Sequence, residues 1–318
     1  MATGNPALTS TYNGEFAGKY ISAALLSAST LDKGLITIMP NVKHKAVLQV
    51  GSLDNNVVKA ATCDFTASGA LTLTERVIEV SDYQVNMSLC KKELHNSWQA
   101  EQMGFSAFDN LAPSFEEFVI AYTAAKVANN IESNIWEGST GDADEFTGFS
   151  DLLDADADVV DVAGASTAIG ASATVQAELG KIVDALPTPL YGKEDLHIYV
   201  APNVARAYVR SLGGYGAAGL GANGINGQGT MWYSTANGGS ALSFDGIPVV
   251  VAQGLGANKA VCAQKSNLFF GCSLLSDTQE VRVIDMAPID GSQNVRIIMR
   301  FSAAVQTGIA SDIVWYRV

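Results

Sequence analysis

The chain has 318 residues and a mass of 33.3 kDa, enough to bury a substantial core in one large domain or two intimate ones. With 48% hydrophobic and only 16% charged residues it falls outside the disordered class, and a formal charge of −13 argues against a general phosphate-binding surface, which needs clustered Lys and Arg. Thirty glycines and a mean hydropathy of +0.17 are high for a free monomer and point to surface that copies of the chain bury against one another.

Residues 1 to about 20 are polar, with isolated Tyr12, Phe16 and Tyr20, and read as an arm that lies on something else. They lack the basic and apolar regions of a secretion signal, and no apolar run approaches the ~18 residues that span a bilayer. A short apolar helix on Ile21, Leu25 and Leu26 is expected next. From Gly34 to about Leu94 the pattern is β, with strands over 35–39, 46–50, 57–60 and 71–74 and a turn at Ser68-Gly69. The clearest alternation sets Tyr83, Val85, Met87 and Leu89 against Gln84, Asn86 and Ser88. The stretch from Asn41 to Ser81 has few large aromatics and predicts an extended hairpin without a core of its own, which must rest on a neighbour.

One long helix is predicted over 114–137. Ser114 and Glu117 have capping-box spacing, and Ile120, Ala124, Val127, Ala128, Ile131 and Ile135 share a face. Gly138 is expected to end it in a left-handed conformation, before the loop Ser139-Thr140-Gly141-Asp142 and the triplet Thr147-Gly148-Phe149. At ~1.5 Å per residue the rod is roughly 35 Å long, a stiff spine in a chain written mostly as strands. Between Lys126 and Lys181 no base occurs while eleven acids do, so the rest of the chain carries 21 acids against 19 bases. The protein is near-neutral with one acidic segment. Beyond it come an amphipathic helix on Val175, Leu179, Ile182, Val183 and Leu186 that stops at Pro187, a buried strand at His197–Val200, and a helix capped by Asn203 that bears Val204, Tyr208 and Leu212. A glycine-rich loop runs from Gly213 to Gly239. Strands follow at 247–252, 260–263, 268–271 and 281–284, then the alternating Val295, Ile297, Met299 and Phe301, and a last strand at 313–316. The order of elements predicts an α+β architecture, a helix-plus-hairpin region and a mixed α/β region joined by long strands.

The residues that could carry chemistry have simpler explanations. Gly219 to Gly224 matches G-x-G-x-x-G but follows a helix, whereas the dinucleotide fingerprint needs a strand before it. Gly254-Leu255-Gly256 follows a strand but leads into another, and both segments read as mobile surface or interface loops. Asp154-Ala155-Asp156-Ala157-Asp158 starts like a calcium loop, but Val159 stands where the glycine is required and Ala165 where the closing glutamate is required. A solvated acidic loop is expected, with a loose cation site as the alternative. His44, His95 and His197 stand in separate elements; His197 near Glu194 is the one candidate general base. Arg206 and Arg210 lie one turn apart, too few for a binding patch. Cys63, Cys90, Cys262 and Cys272 lack zinc spacing and are expected as buried free thiols. No catalytic, cofactor-binding or metal-ligating residue is assigned, and no cofactor is implied.

Taken in series, the polar arm, hairpin, spine helix, Gly/Asp loop, βα region, Ser243-Phe244-Asp245-Gly246-Ile247-Pro248-Val249-Val250, Asn267-Leu268-Phe269-Phe270-Gly271 and Val281-Arg282-Val283-Ile284-Asp285 resemble the major capsid protein of tailed double-stranded DNA bacteriophages, the Hong Kong 97-like fold. The resemblance implies an N-terminal arm over 1–33, an E-loop over 34–81 that overlaps the adjacent subunit, a peripheral domain over 82–171 with the spine helix, and an axial domain over 172–318 whose C-terminal strands return to the peripheral domain. The glycine-rich loop would lie near the capsomer centre. It implies a non-enzymatic structural protein that assembles as hexamers and pentamers into an icosahedral shell around DNA, located in the virion and assembled in the host cytoplasm. Expected partners are further copies of itself, a separate scaffolding protein, a portal and decoration proteins, with no membrane and no sequence-specific DNA binding. Some members join a Lys to an Asn covalently; Lys43, Lys45 and Lys59 lie in the hairpin, but no such chemistry is carried over. The alternatives are an encapsulin-like compartment of the same fold, which the polar arm argues against, and a hydrolase built on His197.

Overall fold

The computed structural model describes residues 29–53, 58–61, 63, 69–90, 113–142, 144–164, 168–211, 242–273 and 282–318. The expected arm, the helix at Ile21–Leu26, His95 and the glycine-rich loop with Gly219–Gly224 lie outside the described residues, as do the side chains of the capping pair Ser114 and Glu117. In chain order the elements are α1 (Ser29–Asp32), β1 (Thr37–Met39), β2 (Lys45–Leu53), β3 (Leu71–Glu79), β4 (Ser81–Cys90), α2 (Pro113–Glu137), α3 (Phe149–Ala155) and β5 (Val160–Ala163). There follow α4 (Val175–Asp184), β6 (Leu196–Val200), α5 (Pro202–Ser211), β7 (Ser243–Phe244), β8 (Ile247–Val251), β9 (Ala260–Gln264) and β10 (Leu268–Cys272). The chain closes with β11 (Arg282–Asp285), α6 (Ala287–Asp290), β12 (Asn294–Thr307) and β13 (Val314–Arg317).

Among the described residues three sheets result. Strand β12 organises the first: it pairs antiparallel with β4 over ten consecutive residues from Asn294–Cys90 to Ala303–Ser81, with β11 at its start and with β10 at its end. Strand β1 adds to β10 in parallel. The alternation read from the sequence is realised here, since Tyr83, Val85, Met87 and Leu89 stand opposite Phe301, Met299, Ile297 and Val295. The second sheet has the order β5-β13-β9-β6-β8-β7, its central strands apolar on both faces as a sandwiched sheet requires. Helix α4 buries Val175, Leu179, Ile182 and Val183. The third is the two-stranded ribbon β2–β3. One cluster of buried residues runs from α2 through both larger sheets and includes Trp136, Phe149, Tyr199, Phe270, Met299 and Trp315.

The last three turns of α2 are where these parts meet. Val127, Ile131, Ile135 and Trp136 are buried, and the Trp136 ring lies 5.4 Å from both Phe149 and Tyr199. Gly138 closes the helix with its N–H on Asn134 O at 3.1 Å, but not through a left-handed backbone. Its glycine is required for another reason: a Cβ would run into the carbonyl oxygens of Phe146 and Asn134. Gly148 returns to the same spot, donating to Gly138 O at 2.7 Å. The two glycines let the post-helix loop lie directly on the helix end.

Other expectations shift in similar ways. Strand pairing begins at Thr37, because Leu35 and Ile36 instead turn into the core, where Leu35 O accepts the Tyr199 hydroxyl at 2.5 Å. Val58, Lys59 and Ala60 are exposed and outside any strand, whereas β3 runs on to Glu79. Asn203 does not cap α5, which opens on Pro202, a residue suited to the first helical position. Its amide grips Asn258, donating to Asn258 Oδ1 at 2.8 Å and accepting from Asn258 N at 3.2 Å. This fixes Asn258 with φ of 62°, a conformation asparagine tolerates.

A Cβ at Gly148 would meet Gly138 N at 2.6 Å and Asn134 O at 2.7 Å, and both are backbone atoms that cannot swing aside. Gly148→Ala is therefore expected to destabilise the subunit by about 1–3 kcal/mol, the usual range for overpacking, measured as a lowered urea midpoint. A midpoint equal to the parent's would show that the loop is not seated on the helix.

Candidate assembly surface

A two-stranded ribbon has no second layer to cover it, so its side chains stay in water unless another body arrives. In β3 the residues from Leu71 to Glu75 are all exposed, Arg76 is half-buried and Ile78 is buried. Leu71 and Leu73 are 65% and 66% exposed, and Val47 on the partner strand is 50% exposed. Val58, beyond the ladder, is 93% exposed. Apolar side chains on an outlying ribbon are costly to leave in water, and Leu71 and Leu73, two residues apart on one face of β3, make it a candidate contact surface.

The root of the ribbon is anchored. Ile78 and Val80 pack with Val42 and Ala304 in a small separate cluster. Gly271, the glycine of the Phe-Gly pair in β10, makes room for it: a Cβ there would stand 2.7 Å from Ile78 Cδ1. Arg76 bonds Asp156 at 2.6 Å and Thr307 at 3.2 Å, and Gln306 Nε2 donates to Val77 O at 2.9 Å. Val80 N donates to His44 O, which closes the base.

Side chains that the sequence offered as chemistry are engaged structurally. Asp154 accepts from Trp315 Nε1 at 2.7 Å and from Arg317, whose other nitrogen reaches Asp161 at 2.9 Å. Asp156 takes Arg76. Asp154, Asp156 and Asp161 thus receive arginines from β3 and β13, although Asp154, Ala155, Ala157 and Asp158 remain exposed. Among the described residues no group of three or more His, Cys, Asp or Glu is gathered as a metal site would need. His197 Nδ1 lies 2.8 Å from Asp195 O, while the Asp195 carboxylate is taken by Gln264 and Ser266. His44 lies 4.0 Å from Glu79, which Lys45 also holds at 2.9 Å. Arg206 Nε turns back to Pro202 O. Gly254-Leu255-Gly256 is no surface loop: a Cβ at Gly254 would collide with Glu132 O, and Gly256 N donates to Glu137 Oε1 at 2.9 Å. Of the cysteines, Cys262 and Cys272 are buried as expected, with burial pushing the Cys262 thiol up to about 12, but Cys63 is exposed and Cys90 only partly covered.

The site signal that the sequence did carry was the pairing of strand alternation with a missing core between Asn41 and Ser81. What it could not show was the anchoring, because Arg76, Asp156 and Thr307 are far apart in the chain.

No protein-family model matches the chain, and no curated protein matches it in sequence. Solved structures do. The capsid of a native GTA particle covers 98% of this chain and 99% of its own at a TM-score of 0.60 and 14% identity. The structure named for Gordonia phage Cozz covers 96% of this chain and 90% of its own at 0.61 and 12%, and the capsid of Myoviridae phage XM1 covers 95% and 96% at 0.60 and 10%. Likeness over nearly the whole of both chains establishes the fold: this is the Hong Kong 97-like capsid fold.

Glu178, buried on α4, accepts Lys181 Nζ at 2.8 Å and the Tyr316 hydroxyl at 2.7 Å. Burial is the largest single influence and opposes its charge, yet the two hydrogen bonds together hold its carboxyl below the ordinary 4.5. A lowered folded-state value means stability that is complete above 4.5 and is lost as pH falls through the folded value. Glu178→Gln is expected to be less stable than the parent at pH 7 and to close that gap on acidification below 4.5, measured by urea midpoints across the range. A gap independent of pH would show that the charge contributes nothing.

Proposed function

We propose that this chain is the major subunit of an icosahedral shell, a structural protein without catalysis whose copies join as hexamers and pentamers around packaged double-stranded DNA. The observation that carries this reading is the ribbon β2–β3: fixed at its root, with Leu71 and Leu73 exposed beyond Arg76. It is a part that only another copy can bury. The fold supports the reading, since chains of the same architecture form the capsids of the GTA particle and phage XM1.

In this reading residues 34–81 serve as the E-loop across the adjacent subunit, with an arm over 1–33, a peripheral domain over 82–171 and an axial domain over 172–318. The parts are less separate than that division implies, because α2 shares one core with both larger sheets. Each contact recurs at every subunit, so modest interfaces add up through multivalency. A scaffolding protein, a portal and decoration proteins are the expected partners, the virion is the expected location, and the host cytoplasm is the expected place of assembly. The charge suits a container: with 32 acids against 19 bases the shell does not hold its DNA by neutralising phosphates, so the DNA can enter and leave.

Two measurements test the reading. Purified protein is expected to form closed particles visible by negative-stain electron microscopy, and protein that stays monomeric under every assembly condition would overturn it. The double variant Leu71→Ser, Leu73→Ser is expected to keep subunit stability within about 0.5 kcal/mol, as exposed positions do, while losing assembly. Particles formed normally by this variant would remove the ribbon from the contact.

A further inference from the structure

The arginine at the foot of the ribbon has more partners than anchoring demands. Ile78 and Val80 already seat β3 in a small apolar cluster, but an apolar seat is non-directional and permits rotation. Arg76 adds what such a seat lacks. Its guanidinium is planar and presents a rigid fork, and here the two terminal nitrogens go to two different elements: one to Asp156 at the end of α3, the other to Thr307 at the end of β12. The receptor is itself oriented, since Asp156 Oδ1 accepts Asp158 N at 3.1 Å while Oδ2 holds the arginine. Only 26% and 19% of the two side chains is exposed, so the pair is shielded more than an ordinary surface ion pair. The exposed run of β3 begins at the very next residue toward the tip, Glu75.

We propose that Arg76 is the positioning residue of the ribbon: by bridging β3 to Asp156 and Thr307 it sets the angle at which the ribbon leaves the body, and so the curvature at which copies join. Nine residues of strand at ~3.3 Å each make a lever roughly 30 Å long, so a tilt of ~10° at the root displaces the far end by about 5 Å. The clamp itself stands on the bonds just described; its effect on curvature rests on the shell reading above.

The test compares the full-length parent with Arg76→Met, Arg76→Lys and Asp156→Asn. In unassembled subunits, amides of 45–53 and 71–79 are expected to exchange hydrogen roughly ten- to hundredfold faster in Arg76→Met and Asp156→Asn, the factor matching one lost hydrogen bond to a charged group. The unfolding midpoint of the remainder should hold. Particles of these variants are expected to spread in diameter under electron microscopy. Arg76→Lys, which keeps the charge but reaches one acceptor, should fall between them and the parent on both readouts. Exchange at the parent's rate in both variants overturns the clamp, and a loosened ribbon with unchanged diameters overturns its control of curvature. Should Arg76→Met fail to fold, Asp156→Asn, equal in size, gives the same comparison. Should the parent itself form no particles, the shell reading fails alone, and the exchange rates still decide the clamp.

Discussion

A long helix that carries its apolar side chains to its last turn must find something to bury that end from several directions at once, and the rest of this molecule is arranged around doing so. At Trp136 the ring is enclosed by Phe149 and Tyr199, and its indole N–H donates to Thr30 Oγ1 at 3.0 Å. Glu132, fully buried one turn earlier, accepts both Thr30 N and Thr30 Oγ1. Glu137 takes Ser150, Gly256 N and Lys259. Three elements far apart in the chain, α1, α3 and the loop between β8 and β9, are therefore tied to one helix end by buried or half-buried carboxylates, and a hydrogen bond to a charged group contributes about 1.5–3 kcal/mol. The first and second sheets keep their relation because both are packed on that end.

The ribbon obeys the opposite rule. Its root is specified within the chain by Ile78, Gly271 and Arg76, while its outer half carries Leu71 and Leu73 with no cover. A sequence that spends apolar residues on water has a reason outside the subunit. Part of the acidic segment fits the same division, for Asp154, Asp156 and Asp161 are engaged within the chain by Arg76 and Arg317.

Much of the fold was legible in the sequence because it follows from periodicity. The alternation in β4 and β12 and the apolar faces of α2 and α4 depend on local spacing and stand where they were expected, whereas the strand expected at 57–60 is absent and β5 and β7 were not foreseen. What was not legible depends on residues that meet only after folding. Gly138 reads as a left-handed stop because glycine commonly ends helices that way, but here it answers to the loop backbone at Phe146. Gly254-Leu255-Gly256 reads as a free loop until the spine is seen beneath it. Asp154 and Asp156 read as solvated because nothing local says that Arg317 and Arg76 arrive. Asn203 reads as a cap because its true partner is 55 positions away. The candidate assembly surface was legible as a hairpin without a core, and its anchoring was not, for the same reason.

Strand β12 has a mechanical side. Its ten successive rungs with β4 form without interruption, and its far end is gripped by β10. Tension applied along the strand loads those rungs together in shear, whereas tension applied across it opens them one after another like a zip. In the proposed shell, β12 would withstand an outward push best where it lies along the line of stretch, so its direction within the wall would decide how much load it bears.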